Sequence, residues 1–195
     1  LEFKAWTEGL KNKRGLSSKE TSVSEPQTSA SEEPLDVSSE INYEVILELS
    51  HLKKWITKIT NSELLAIDTE TDSLDYMSAK LIGISMSVKP NSAAYIPLGH
   101  DYLGAPEQLD KEIVLNQLRP ILENPHIKKV GQNIKFDMSV LKQHGINLCG
   151  ISFDTMLESY VINSIATRHD MDSLASTYLN VATTRFTDVA GKGAK

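Results

Sequence analysis

The chain has 195 residues, of which 40% are hydrophobic, and carries one cysteine and a formal net charge of −6. The hydrophobic content is sufficient for the core of one ordinary domain. The negative net charge excludes attraction of nucleic acid by an overall positive field. A single thiol excludes an internal disulfide and favours a reducing compartment, and no apolar run is long enough to span a membrane.

The N-terminal part has the composition of a linker. Residues 17–40 contain eight Ser and six acidic residues and few aliphatic ones, too little apolar area to offset the entropy of an ordered chain. We therefore expect a flexible acidic linker at 17–40, preceded at 1–16 by the end of another region. A domain is expected over 41–195, in a chain cut from a longer one.

The first half of this domain is predicted to be rich in strands. NYEVILE predicts a strand, and LLAID a short apolar strand. LSHLKKWITKI predicts a helix with Leu52, Trp55, Ile56 and Ile59 on one face. KLIGISMSV alternates like a half-buried strand that is antiparallel to its neighbour, and AAYIPL predicts another strand.

Helices dominate the second half. DKEIVLNQLRPILEN predicts a helix that Pro120 should kink or shorten. A strand at KKVGQN then leads to a helix at IKFDMSVLKQHG, with Asn133 as N-cap and Gly145 as stop. A strand at GISFD precedes a helix opened by a capping box from Thr155 to Glu158, and MDSLASTYL predicts a last helix capped by Asp170. Interleaved strands and helices predict an α/β domain with a mixed sheet.

Acidic residues follow directly on the apolar run of LLAIDTETDSL. Asp68 is predicted at the C-terminal end of its strand, with Glu70 on the same face and Thr69 on the opposite one. Two neighbouring carboxylates repel each other, and Mg²⁺ or Mn²⁺ between them would remove the repulsion. The alternative is a polar turn with no bound metal.

A third carboxylate is predicted to be buried. Ile134, Asp137 and Leu141 have the spacing of one helix face, which places Asp137 on the apolar stripe. Such a group needs a partner, which is either a metal shared with Asp68 or, alternatively, a lysine or a backbone N–H.

Together, DTETDSL, GQNIKFD and TMLESYVINSIATRHDMDSLA resemble the proofreading 3′–5′ exonuclease domain of bacterial DNA polymerase I. The first two segments resemble its first two exonuclease motifs. The resemblance implies a ribonuclease-H-like fold, with a five-stranded mixed sheet flanked by helices. It also implies hydrolysis of the 3′-terminal phosphodiester of DNA with release of nucleoside monophosphates.

The resemblance also implies a site and its partners. Asp68, Glu70 and Asp137 would be catalytic and would bind two divalent cations, Mg²⁺ or Mn²⁺, with Zn²⁺ an option in crystals. The partners would be a single-stranded or frayed DNA 3′ end and the polymerase and 5′-nuclease domains of the same polypeptide, in a monomer of the bacterial cytoplasm and nucleoid. The DNA-binding residues would be Leu74, Gln132, Asn133, Arg168 and Phe186.

The family's third motif, a Tyr and an Asp on one helix, is expected beyond Lys195. The 195-residue chain is therefore expected to be weakly active or inactive by itself. Asp154, Asp170 and Asp172 are not expected to replace the missing ligand, because they lie at predicted helix starts. Two alternatives stay open, a related exonuclease acting on RNA or other DNA ends, and a catalytically silent module that supports a polymerase.

Overall fold

In the computed structural model, the described part of the chain comprises residues 41–165 and 168–184. The predicted linker at 17–40, the segment 1–16 and Phe186 lie outside it. No helix in these ranges is long and apolar enough to cross a membrane.

The strands form one mixed sheet with the order β1-β4-β3-β2-β5-β6. Strands β2, β5 and β6 run parallel to one another, β3 is antiparallel to both β2 and β4, and β1 is parallel to β4. The mixed α/β sheet and the antiparallel β3 are confirmed, and the strands in these ranges number six, as the sequence patterns predict, where the family resemblance implied five. The strands are β1 (Asn42–Val45), β2 (Leu64–Thr71), β3 (Leu81–Lys89), β4 (Ser92–Pro97), β5 (Lys128–Gly131) and β6 (Ile151–Asp154).

The helices occupy the predicted segments. Helix α2 continues through Pro120 and ends two residues later, so the proline lies in its last turn. The final helix changes to a π-helical turn at Ala175–Leu179. The α-helices are α1 (Leu49–Thr60), α2 (Lys111–Leu122), α3 (Lys135–Gln143), α4 (Thr155–Ile162) and α5 (Met171–Leu174).

The main hydrophobic core lies on one face of the sheet. Helices α1, α2 and α3 contribute Trp55, Leu118 and Leu141 to it, and β2 contributes Leu65 and Ile67. On the opposite face, which we call the open face, Leu64, Ala66 and Asp68 are only half-buried. The fold thus leaves one face of its central strand accessible.

Two of the predicted helix caps are wrong. Helix α3 has Ile134 as its N-cap, without a side-chain hydrogen bond, because Asn133 adopts a left-handed conformation with φ of 57°. Helix α4 is capped by Asp154, whose side chain accepts the N–H groups of Met156 and Leu157, so the box from Thr155 to Glu158 does not form. The stop at Gly145, which has φ of 72°, and the cap by Asp170 are confirmed.

Candidate active site

Strand β2 carries two of the predicted site residues on the open face. Asp68 is half-buried and Glu70 is exposed, whereas Thr69 between them faces the core with 7% exposure. The predicted strand end at Asp68 is wrong, because β2 continues to Thr71. The shared face of the two carboxylates follows from the alternation of a strand.

The neighbouring strand ends before Asp68 is reached. Pairing of β2 with β5 stops at Ala66 and Val130, while pairing with β3 continues through Asp68 and Glu70. Beyond Ala66, therefore, the backbone of β2 lacks a strand partner on the β5 side. The chain turns there into helix α3, which brings Asp137 to this gap.

At this gap, the Asp137 carboxylate accepts hydrogen bonds from strand β2. The Thr69 N–H donates to Asp137 Oδ1 at 2.8 Å, and the Thr69 hydroxyl donates to the same oxygen at 2.6 Å. Asp137 is 2% exposed and lies on the buried stripe of α3 with Val140 and Leu141, as predicted. The protein thus supplies a backbone N–H as partner, and a threonine hydroxyl that the sequence patterns did not indicate.

The three carboxylates affect one another's protonation. Burial raises the pKa of Asp68 from its ordinary value of 3.8 to about 7, with further increases from the charges of Asp137 and Glu70. Burial also raises the pKa of Asp137, against the lowering effect of the Thr69 hydrogen bonds. Negative charge on the three carboxylates is therefore unfavourable at this partly desolvated position.

No basic side chain neutralises this charge within residues 41–165 and 168–184. The ion pairs found there form at Glu44, Glu123 and Asp170, away from the three carboxylates. In the same ranges, no three His, Cys, Asp or Glu side chains already converge on one point as ligands of a single ion. The donors are nevertheless hard carboxylate oxygens, the type that Mg²⁺ and Mn²⁺ prefer.

A cleft of about 380 Å³ extends over the open face next to Asp68. Its lining includes Ser85 of β3, Val130 of β5, Gln132 and Thr155. The cleft offers room beside the carboxylates for a bound molecule.

The amide side chains of the GQN segment have different surroundings. Gln132 Nε2 donates to the His169 carbonyl at 2.8 Å, and Gln132 Oε1 accepts from the Thr155 hydroxyl at 2.5 Å. Asn133 Oδ1 is buried without a hydrogen-bond partner among the described residues. Gln132 thus links its own segment to Thr155 and His169, whereas Asn133 Oδ1 remains available to accept a hydrogen bond.

The three acids that were set aside as ligands have structural roles. Asp154 accepts the N–H groups of Asn133 and Ile134 at 3.2 and 3.0 Å, in addition to those at the start of α4. Asp170 caps α5 through the Ser173 N–H, and Asp172 accepts from the Thr183 hydroxyl at 2.6 Å. An acid between a strand and a helix was the signal for the Asp154 cap.

A sequence profile of the 3′–5′ exonuclease family matches residues 43–195. The chain belongs to this 3′–5′ exonuclease family. The chain is 47% identical to DNA polymerase I of Pseudomonas aeruginosa, in an alignment that covers 100% of this chain and 20% of that relative. It is 38% identical to DNA polymerase I of Rhizobium leguminosarum, in an alignment that covers 77% of this chain and 16% of that relative. The chain therefore spans about one fifth of the length of these relatives.

Solved structures support the ribonuclease-H-like exonuclease fold. RNase D of Trypanosoma brucei has a TM-score of 0.61 at 14% identity, covering 78% of this chain and 54% of that one. Brucella melitensis NrnC with bound Mg²⁺ has a TM-score of 0.53 at 21% identity, covering 75% and 65%. At these identities the likeness shows the fold alone.

The remaining predicted DNA-binding positions of this exonuclease domain differ in exposure. Leu74 is 92% exposed. The Arg168 side chain is 89% exposed and lies 3.4 Å from a carboxylate oxygen of Asp170. Phe186 lies outside the described residues.

Proposed function

We propose that the chain is a 3′–5′ exodeoxyribonuclease domain that removes terminal nucleotides from DNA as nucleoside monophosphates. We propose further that it proofreads within a DNA polymerase I, next to polymerase and 5′-nuclease domains of the same polypeptide. The observation that carries the proposal is the arrangement of three carboxylates around β2. Asp68 and Glu70 share the open face, and Asp137 is fixed on Thr69 between them.

The donor set fits two divalent cations, Mg²⁺ or Mn²⁺. Asp68, Glu70 and Asp137 would hold them, because burial and like charges raise the pKa of Asp68 to about 7 while no described basic side chain relieves the repulsion. Bound there, the cations would supply an activated water and offset the charge of the phosphodiester. A negatively charged protein can then accept a DNA end without a basic surface.

The side chains of the protein would position the parts of the reaction. The two hydrogen bonds from Thr69 fix the Asp137 carboxylate relative to the backbone of β2. A fixed carboxylate matters because displacement by about 1 Å can cost on the order of 100-fold in rate. Glu70, which is exposed, faces the side from which the DNA end would approach.

The DNA strand would be held around these carboxylates. Leu74, almost fully exposed, would lie against the terminal base, and Arg168 would contact a phosphate. Asn133 is the better candidate of the two amides, since its Oδ1 lacks a partner among the described residues while Gln132 uses both ends of its amide. Phe186 would stack on a base.

The relatives favour DNA over RNA as substrate, because the curated ones named above are DNA polymerases. The presence of all three carboxylates favours an active domain over a silent module. We also propose that the protein is a monomer of the bacterial cytoplasm and nucleoid.

Mn²⁺ binding and cleavage together test the proposal. Mn²⁺ should broaden the amide signals around Asp68 and Asp137 first, and Asp68→Ala should abolish this broadening. In a version extended through the third motif, Asp68→Ala and Asp137→Ala should also abolish the 3′-to-5′ ladder from a 5′-labelled oligonucleotide in Mg²⁺. The matched control is Glu63→Gln, an exposed acid just before β2.

Two results would contradict the proposal. Broadening that survives Asp68→Ala would place the metal elsewhere. An extended chain that is folded and binds Mn²⁺ but cleaves neither DNA nor RNA would favour the silent module, and one that cleaves only RNA would favour the ribonuclease alternative.

A further inference from the structure

The aromatic ring of Tyr95, on strand β4, lies over strand β3 beside Glu70. In the antiparallel pair β2–β3, Gly83 is the register partner of Glu70. A Cβ atom on Gly83 would lie 2.1 Å from the Tyr95 hydroxyl oxygen and 2.4 Å from its ring. Only glycine therefore lets the Tyr95 ring cover this position, beside a carboxylate of the site.

His100, at the start of the loop after β4, is fixed at three points. Its Nε2 and the Tyr95 hydroxyl are hydrogen-bonded at 2.6 Å. Its N–H donates to Gln108 Oε1 at 2.9 Å, and its carbonyl accepts from Gln108 Nε2 at 2.6 Å. A loop residue held on both its side chain and its backbone has little freedom left to lose on binding a ligand.

Tyr102 continues this row toward solvent. The ring centroids of Tyr95 and His100 are 5.8 Å apart, and those of His100 and Tyr102 are 5.7 Å apart, both with edge-to-face geometry. Tyr102 is 59% exposed. Tyr95, His100 and Tyr102 thus form an aromatic ledge that begins beside Glu70 and ends on the surface.

We propose that the aromatic ledge binds a nucleobase of the DNA strand whose 3′ end lies at the carboxylates, with Tyr102 as the contact surface. This inference rests on the proposed exonuclease function. Aromatic side chains bind single-stranded DNA by contact with the base faces, which every base offers, so the contact suits an enzyme that removes any terminal nucleotide. The ledge presents ring faces, whereas the strand beside it presents the carboxylates of Asp68 and Glu70, so base and phosphate would meet different groups.

The test measures binding of 5′-labelled single-stranded oligonucleotides by fluorescence anisotropy, with Ca²⁺ as the metal to prevent cleavage. One oligonucleotide is complete, and three others lack the base at one of the last three positions. Tyr102→Ala should raise the dissociation constant of the complete strand about tenfold. For the strand that lacks the contacted base, the same substitution should change the dissociation constant by less than about twofold. Tyr102→Phe should bind normally, and so should Tyr43→Ala, a control at a tyrosine that is 70% exposed on β1.

The outcomes separate this inference from the function on which it rests. A wild-type chain that binds no oligonucleotide refutes the proposed function and the ledge together. A wild-type chain that binds, and for which Tyr102→Ala has no effect or an equal effect on all four strands, refutes the ledge alone. Because Tyr102 is exposed, its loss should leave the thermal midpoint unchanged, which circular dichroism checks.

Discussion

Replacing Asp68 by asparagine should stabilise the metal-free protein at neutral and alkaline pH. The folded-state pKa of about 7 exceeds the ordinary value of 3.8, so the native protein binds more protons than the unfolded chain between these two pH values. Stability is therefore lost as the pH rises through this window, and the loss is complete above pH 7. Asparagine has the shape of the protonated acid and does not undergo this loss.

The size of the effect follows from the shift. About three pH units at 1.36 kcal/mol each give an upper limit of about 4 kcal/mol. Asp68 is only half-buried, and solvent screens the repulsion from Asp137 and Glu70, so we expect about 1–2 kcal/mol. Added Mg²⁺ should stabilise the wild type and not the variant, which reduces or reverses the difference.

Urea unfolding in EDTA at pH 8 and at pH 4 measures this difference. Asp68→Asn should exceed the wild type by about 1–2 kcal/mol at pH 8 and match it at pH 4. Glu63→Gln, the exposed control, should match the wild type at both values. An Asp68→Asn protein that is less stable at pH 8, or more stable by the same amount at both pH values, would refute the electrostatic explanation.

Two further predictions concern structural residues. Asp154→Ala should reduce the free energy of unfolding by about 2–3 kcal/mol, because Asp154 accepts N–H groups at the starts of both α3 and α4. Urea titration measures this loss, and a value below about 0.5 kcal/mol would contradict the prediction. Lys129 is fully buried, and burial lowers its pKa from 10.5 to about 8. Between pH 8 and 10.5 the native protein therefore binds fewer protons than the unfolded chain, so the stability of the wild type rises with pH. Relative to Lys129→Met, its free energy of unfolding should increase by about 1–3 kcal/mol over this range. A difference between the two proteins that does not change with pH would exclude this linkage.

Local patterns were sufficient for most of the fold. Helix faces such as Leu52, Trp55 and Ile59 and the alternation of β3 depend on side-chain periodicity, which the sequence carries directly. The buried position of Asp137 followed from the same periodicity. The strand at NYEV was also predicted, although the family resemblance counted five strands.

The errors arose where a distant contact decides the local structure. The length of β2 depends on its pairing with β3 and on where β5 ends, neither of which is visible in LLAID. Thr69 as the partner of Asp137 and Asp154 as a shared cap both join segments far apart in the chain. Asn133, whose left-handed conformation displaced the predicted cap, donates its N–H to Asp154 of β6, again a distant residue.

The hydrogen bond between Thr69 and Asp137 joins residues 68 positions apart. Strands β3 and β4, by contrast, are joined by a short turn and can pair early, because closing a small loop costs little entropy. We therefore expect Asp137 to reach Asp68 and Glu70 late in folding, when β5 and α3 dock against β2. In that order, the repulsion between Asp68 and Asp137 would arise only once most of the core is present to hold them together.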